Sequence, residues 1–149
     1  MSEQDIFTTP SITKLPENIA GRVLVSGSHG GMYPAYLAAR SGVRGVVFND
    51  AGGGRDNAGF ASLPYLDNLG IPAATCSHLS ARIGDGKDML DRGKISQANL
   101  TAAKLGCSAG QTVGETAELM TISDLRSFEA PVYQESRVCF LEAGAEPGV

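Results

Sequence analysis

The stretch that decides the fold is RVLVSGSHGGMYPAYLAARSG, residues 22–42. Its beginning, Val23 to Val25, is a continuous apolar run, which is typical of a strand buried on both faces of a parallel sheet. The Ala-rich part that follows predicts a helix with Pro34 in its first turn and Gly42 as the residue that ends it. The stretch therefore predicts a strand, a polar glycine-rich junction and a helix, in that order.

The same alternation continues along the chain. VRGVVF (43–48) predicts a second buried strand, SLPYLDNLG (62–70) a helix with Ser62 as its N-cap and Gly70 after its end, and IPAATCS (71–77) a third strand. Strands that alternate with helices form mostly parallel sheets. We therefore expect a single-domain, three-layer, doubly wound α/β fold of the flavodoxin- or Rossmann-like kind.

Weaker patterns follow the third strand. GDGKDMLDRG (84–93) predicts a short helix, SQANLTAAKLG (96–106) a helix capped by Ser96 and closed by Gly106, TVGETAELM (112–120) a helix with a capping box of Thr112 and Glu115, and SRVCFLEA (136–143) a further strand. The polar, Pro-interrupted beginning of the chain predicts an arm. We therefore divide the chain into an N-terminal arm (1–20), an α/β domain (21–142) and a flexible tail (143–149).

Composition excludes several classes of protein. A chain of 149 residues with 42% hydrophobic and 19% charged residues suits one compact domain. The net charge is −4 and no cluster of Lys and Arg is present, so we expect no nucleic-acid partner. Three widely spaced cysteines predict neither a disulfide framework nor a zinc motif. No signal sequence or apolar span is evident, so we expect no membrane association and a cytoplasmic location.

The histidines point to a candidate site. The three predicted strands are followed by three polar loops, residues 26–31, 49–59 and 77–86, and the chain's two histidines, His29 and His78, lie in the first and the third. Ligands of parallel α/β sheets bind outside the carboxyl ends of the strands. We therefore expect His29 and His78 to act as general acid and base, with Asp50 from the second loop orienting one imidazole. The alternative is that both histidines are surface residues bonded to backbone carbonyls.

The first loop, SGSHGG, predicts an anion site. Gly30 and Gly31 allow backbone N–H groups to face a concavity, and the helix that follows adds the positive end of its dipole. Ser28 is a candidate nucleophile with a histidine as base, although the loop lacks the frame of a nucleophile elbow.

The second loop, NDAGGGRDNAG, has two interpretations. It is either a wide connection in which Asn49 and Asp50 bond their own backbone, or a backbone shaped to approach a ligand closely. We favour the second, with Arg groups clamping an anionic group. The residues expected to bind substrate are then Gly30, Gly31, Gly52, Gly53, Gly54, Arg55, Asp56, Asn57, Ser77, Arg82 and Asp85.

These features predict a hydrolase, lyase or isomerase that acts on a small anionic metabolite. A non-catalytic anion- or nucleotide-binding sensor or regulatory subunit is the alternative, and a structural subunit is a third. His29, His78 and Asp50 also make an acceptable ligand set for a divalent metal, although no short-range metal spacing is present. The small size of the domain further predicts a homo-oligomer.

Overall fold

The computed structural model describes residues 5–13, 15, 17–52 and 59–122, apart from the side chain of residue 17. Five strands and five helices lie in this part of the chain. The strands are β1 (Ile6–Thr9), β2 (Val23–His29), β3 (Gly45–Asn49), β4 (Ala73–Cys76) and β5 (Ile95–Ala98). The helices are α1 (Met32–Arg40), α2 (Ser62–Asn68), α3 (Gly86–Arg92), α4 (Leu100–Ala103) and α5 (Val113–Met120), and a 3₁₀ turn at Glu17–Ile19 precedes β2.

The five strands form one sheet in the order β1-β2-β3-β4-β5. The first four strands are parallel to one another, and β5 is antiparallel to β4. The strand order therefore follows the chain, without the reversal found in flavodoxin-like and Rossmann sheets. The carboxyl ends of β1–β4 meet at one edge, here called the carboxyl edge.

Helices cover both faces of the sheet, which confirms the predicted three-layer α/β fold with a mostly parallel sheet. On one face, α1 and α2 pack through small and branched side chains onto Leu24, Val46 and Phe48. On the other, α3 and α5 pack onto Val23, Val25 and Val47, which alternate with the first set along the strands. The continuous apolar runs of β2 and β3 are thus explained, because successive side chains enter different cores.

Several helix ends follow from local chemistry, as predicted. Gly42, directly after the C-cap of α1, has a φ of 78°, a left-handed conformation that glycine adopts without steric cost. Thr112 and Glu115 form the expected capping box at the start of α5. The N-cap of α2 is Ala61, so Ser62 is the first residue of the helix and not its cap.

Two segments differ from the sequence predictions. Ile6–Thr9, within the predicted arm, forms the edge strand β1. The predicted helix over residues 96–106 is wrong in its first part, because Ile95–Ala98 pairs with β4 as strand β5. The helix there is α4, and its N-cap is Asn99 and not Ser96. The strand predicted at 136–143 and the tail at 143–149 lie outside the described residues.

In the described part of the chain, no helix has the length and apolar character needed to cross a membrane.

Candidate functional site

The carboxyl edge brings together the beginnings of the three polar loops. In the register of the sheet, His29 of β2 lies beside Asn49 of β3, and Asn49 lies beside Cys76 of β4. Adjacent strands are about 4.8 Å apart, so the Cα atoms of His29 and Cys76 are separated by about 10 Å. His78 is two residues beyond Cys76. His29 therefore ends β2 and His78 follows β4, so both histidines lie at the same edge, on either side of β3.

The turn after β3 is tight and is held by the side chains that begin it. Asn49 Oδ1 accepts a hydrogen bond from the N–H of Ala51 at 2.8 Å, and Asp50 Oδ1 accepts one from the N–H of Gly52, also at 2.8 Å. Ala51 and Gly52 both have positive φ angles, 53° and 78°. Asn49 and Asp50 thus form turns with their own backbone, and the non-glycine residue Ala51 carries backbone strain of the kind common near functional sites.

Asp50 also holds His78. Its Oδ1 atom accepts hydrogen bonds from the backbone N–H of His78 at 3.1 Å and from Nδ1 of the ring at 3.2 Å. The Asp50 side chain is 6% exposed and the His78 side chain 44% exposed. The carboxylate is therefore behind the imidazole, and the imidazole faces solvent.

Asp50 is ionised at neutral pH. Burial raises the pKa of the carboxyl group, but hydrogen bonds from Gly52, Ser96 and His78, together with the charge interaction with His78, outweigh burial, so the pKa lies below its ordinary value. An ionised carboxylate only accepts hydrogen bonds, so Nδ1 of His78 must carry the proton that it shares with Asp50. When the ring is neutral, its Nε2 atom then has the free lone pair.

His29 lies over the start of α1. Its side chain is exposed, and a Cβ atom at Gly31 would lie 2.8 Å from the Nε2 atom of His29. Gly30 is enclosed more tightly, because a Cβ atom there would lie 2.3 Å from the carbonyl oxygen of Gly59. The two glycines therefore let the imidazole and the residues before α2 approach the backbone closely. Gly31 is the N-cap of α1, whose first turn contains no acidic residue.

Two predicted serines have structural partners. Ser28 Oγ accepts a hydrogen bond from the N–H of Ile12 at 2.9 Å, which ties the segment after β1 to the end of β2. Ser77 Oγ accepts one from the N–H of Leu79 at 3.2 Å and so holds the turn that carries His78. Among the described hydrogen bonds, none joins Ser28 to either histidine. The geometry thus gives Ser28 an anchoring position between the two segments.

The end of the third loop caps the N-terminus of α3. Asp85 is the N-cap of this helix and accepts a hydrogen bond from the N–H of Asp88 at 2.9 Å. The backbone N–H of Arg82 donates to Asp88, and the N–H of Gly84 donates to the carbonyl of Gly27. Arg82 and Asp85 are thus part of the packing of this loop on β2 and α3, in contrast to the direct contact between Asp50 and His78.

The remaining predicted substrate-binding residues, Gly53, Gly54, Arg55, Asp56 and Asn57, lie outside the described residues. Gly52, which precedes them, is exposed and lies against the His78 ring, since a Cβ atom there would be 3.4 Å from Cε1.

The metal set that the sequence allows is His29, His78 and Asp50. In the described ranges, which include His29, His78 and Asp50, no group of three or more His, Cys, Asp or Glu side chains is placed to hold a metal ion. The Oδ1 atom of Asp50 is occupied by two backbone N–H groups and the His78 ring.

Sequence reasoning missed a pair of hydroxyl groups near the carboxyl edge. The Oγ atom of Ser96 in β5 lies 2.8 Å from Oγ1 of Thr75 and 3.3 Å from the carbonyl oxygen of Thr75. Thr75 and Ser96 belong to neighbouring strands, and no motif joins them in the sequence. The one feature that could have indicated them is their position near this edge.

Two buried polar atoms near this edge have no hydrogen-bond partner among the described residues: Asn49 Nδ2 and Ser62 Oγ. Buried polar groups are rarely left unpaired in proteins. The hydroxyl of Ser62 faces Gly30, since a Cβ atom there would lie 3.0 Å from Oγ. Both atoms mark the edge as a place where further polar contacts can form.

No family model matches this chain, and no curated protein or solved structure matches it with significance.

Proposed function

We propose that this protein is a small-molecule enzyme in which His78 transfers protons and Asp50 orients it. The observation that carries the proposal is the hydrogen bond between His78 Nδ1 and Asp50 Oδ1, in which the carboxylate is buried and the imidazole is exposed. The substrate is a small anionic metabolite, and the reaction is a hydrolysis, an elimination or an isomerisation by proton transfer.

The arrangement suits a general base. Because Asp50 accepts from Nδ1, the lone pair of the neutral ring is on Nε2, where a substrate can reach it. When His78 takes a proton, the ionised carboxylate stabilises the imidazolium that forms, as the carboxylate does in hydrolase triads. The low pKa of Asp50 supports this role, since a carboxylate that stays ionised keeps the ring in one tautomer.

His29 is the second proton-transfer group in the proposal. It is exposed at the end of β2, and its ring makes no hydrogen bond to another described residue. It is thus available to donate to a substrate atom or to a developing negative charge. We assign it the role of general acid. Ser28 is not included, because its Oγ atom already anchors Ile12.

The anionic substrate class rests on the surroundings of His29. The first turn of α1 contains no acidic residue, its N-cap is a glycine, and its dipole favours negative charge. The carboxylate of Asp50 is buried and paired with His78, so it does not repel an anion at α1 as a free carboxylate would. A carboxylate or phosphate group of the substrate fits this place.

The test is a turnover screen. Small 2-oxo acids, hydroxy acids and phosphate monoesters are incubated with the protein in D₂O, and proton NMR follows both the exchange of carbon-bound protons and the formation of products. For a compound that is turned over, His78→Asn and His29→Asn each lower kcat by about 10²- to 10⁴-fold, the usual contribution of general acid–base groups. Lys104→Ala, at the exposed C-cap of α4, is the matched control and leaves kcat unchanged.

The same screen separates the alternatives. A compound that raises Tm without being turned over by the wild-type protein favours the non-catalytic sensor. Turnover that survives both histidine substitutions contradicts the proposed acid–base pair.

We also propose that the protein forms a homo-oligomer and that it is located in the cytoplasm. The thiols of Cys76 and Cys107 are free and buried, which suits a reducing compartment. Sedimentation that gives only a monomer at micromolar concentration would remove the oligomer from the proposal, and fractionation of cells tests the location.

A further inference from the structure

A groove of about 460 Å³ lies between α1 and the segment that precedes β2. Its apolar lining consists of Ile12, Leu15, Ile19 and Leu37, which belong to the core on the α1 face or pack against it. Ligand pockets in proteins have volumes of about 300–1,000 Å³ and mostly apolar linings with a few polar groups. The groove therefore has the size and the floor of a small-molecule site.

Two hydroxyl groups at the groove are already paired within the chain. Thr13 Oγ1 lies 3.0 Å from Ser11 Oγ, and Ser41 Oγ donates a hydrogen bond to the carbonyl oxygen of Leu37 at 2.8 Å. These hydroxyls do not require a ligand. The charged side chain of the groove is that of Arg40, which is exposed in the last turn of α1.

Arg40 differs from the arginine at the equivalent place in α3. Arg92, in the last turn of α3, donates from Nε to Oδ1 of Asp88 at 2.8 Å, four residues before it. The residue four before Arg40 is Tyr36, and the Arg40 guanidinium lies 5.7 Å from the centre of its ring. Among the ion pairs of the described residues, none includes Arg40. The helix dipole favours a cation at both places, so it does not explain why Arg40 lacks a carboxylate.

The charge of the groove is complementary to an anion. None of the described residues that line it is acidic, although the whole chain has a net charge of −4. The N–H donors of a guanidinium lie in its plane, in a fork that matches a carboxylate. The contact between Arg40 and the Tyr36 ring is not a hydrogen bond, so it leaves these donors for a ligand.

We propose that this groove binds a small amphipathic monocarboxylate, with its apolar tail along Ile12, Ile19 and Leu37 and its carboxylate on the Arg40 guanidinium. Neither His29 nor His78 lines the groove. The inference is therefore independent of the proposed acid–base chemistry.

Octanoate is the probe for this site. Calorimetry at pH 7 with the full-length protein gives the affinity, and NMR of the methyl groups gives the place of binding. We expect saturable binding that moves the methyl signals of Ile12, Ile19 and Leu37. Hexanoate binds about tenfold more weakly, because two fewer CH₂ groups are buried. The neutral alcohol 1-octanol, which has the same tail, also binds at least about tenfold more weakly, because it lacks the charge that pairs with Arg40.

Arg40→Gln tests the assigned cation. It lowers the affinity for octanoate at least about tenfold and leaves the affinity for 1-octanol unchanged, so the preference for the carboxylate is lost. Arg92→Gln is the matched control, because it removes an exposed arginine from the last turn of the helix on the other face. It leaves the binding of both probes unchanged. The Tm of each variant without a probe shows that it is folded.

Three results would overturn the inference: no saturable binding of octanoate, equal binding by wild type and Arg40→Gln, or methyl shifts that lie outside the groove. If octanoate does not bind and Arg40→Gln turns a dimer into a monomer in sedimentation, the groove is instead an interface between two copies. His29→Asn and His78→Asn retain octanoate binding. A turnover screen without any product would therefore remove the proposed function and leave this site in place.

Discussion

Asp50 holds both the backbone and the ring of His78 through one oxygen atom. Its Oδ1 atom lies 3.1 Å from the backbone nitrogen of His78 and 3.2 Å from Nδ1 of the ring. The first contact fixes where the third loop leaves the sheet, and the second fixes how the imidazole is rotated. Two loops that are 28 residues apart in the chain are thereby joined, so one carboxylate both builds the edge and orients the candidate base.

This relationship predicts how stability depends on pH. The pKa of folded Asp50 lies below its ordinary value of 3.8, so its stabilising contribution is fully present above that pH and is lost as the pH falls through the folded value. At pH 7, Asp50→Asn lowers the free energy of unfolding by about 2 kcal/mol, the scale of hydrogen bonds to a charged acceptor. Urea unfolding measures the difference between wild type and variant, and this difference shrinks as the pH falls below 3.8.

The control for the pH series is Asp91→Asn, because Asp91 is exposed on α3. This variant removes one exposed negative charge and is the reference for the series. A difference between wild type and Asp50→Asn that stays constant from pH 7 into the acid range would show that the carboxylate is not stabilised by folding.

A second prediction concerns Ser28. Because its Oγ atom accepts the N–H of Ile12, Ser28→Ala leaves a backbone donor without its partner and destabilises the protein by about 1 kcal/mol. The turnover that depends on His78 is retained at temperatures where the variant is folded. A loss of turnover by several orders of magnitude in folded Ser28→Ala would instead make Ser28 the nucleophile.

The central fold could be predicted because local signals and tertiary packing agree there. The apolar runs at Val23–Val25 and Val46–Phe48 enter both cores, and Gly42 ends α1 in the conformation that suits glycine. The meeting of the polar loops followed from one rule, that parallel neighbours end at one edge. The placement of His29, Asp50 and His78 at that edge needed no knowledge of strand order.

The features that the sequence did not predict depend on pairing between segments that are distant in the chain. Ile95–Ala98 is a strand because β4 offers it an edge, whereas its sequence has no clear alternation and precedes good helix formers. The register shifts in β2 and β5 direct His29 and Ser96, and neither shift has a sequence signal. Thr75 and Ser96 therefore looked like ordinary strand and cap residues.

A third prediction concerns Asn99, which joins β4, α2 and α4. Its amide makes four hydrogen bonds at 2.9–3.3 Å, accepting from the N–H groups of Ala73 and Ala102 and donating to the carbonyls of Leu63 and Ile71. Asn99→Ala leaves these groups unpaired and lowers the free energy of unfolding by about 3 kcal/mol or more. Asn99→Asp costs at least as much, because a carboxylate cannot donate to the two carbonyls.

Chemical denaturation measures both variants, with Asn68→Ala as the control, since Asn68 is exposed at the end of α2. A cost below 1 kcal/mol for Asn99→Ala, the scale of an ordinary surface substitution, would mean that water replaces the amide.

The last prediction uses three glycines to separate the fold from the site. In Gly30→Ala, the new Cβ meets the Gly59 carbonyl oxygen at 2.3 Å, so backbone must move and the cost is about 1–3 kcal/mol or more. In Gly31→Ala the three nearest atoms belong to the His29 ring, the closest at 2.8 Å, and this exposed ring can rotate away. We therefore expect Gly31→Ala to keep its stability within about 1 kcal/mol and to move the NMR signals of His29.

Gly114→Ala completes the comparison, because Gly114 is inside α5 and the nearest atoms to a new Cβ are 3.9 Å away. Alanine there stabilises the helix by about 0.5–1 kcal/mol and leaves the His29 signals unchanged. If His29 takes part in the reaction, Gly31→Ala lowers kcat while Gly114→Ala does not. Unchanged kcat in Gly31→Ala, together with displaced His29 signals, would remove His29 from the proposed acid–base pair and leave His78 to act alone.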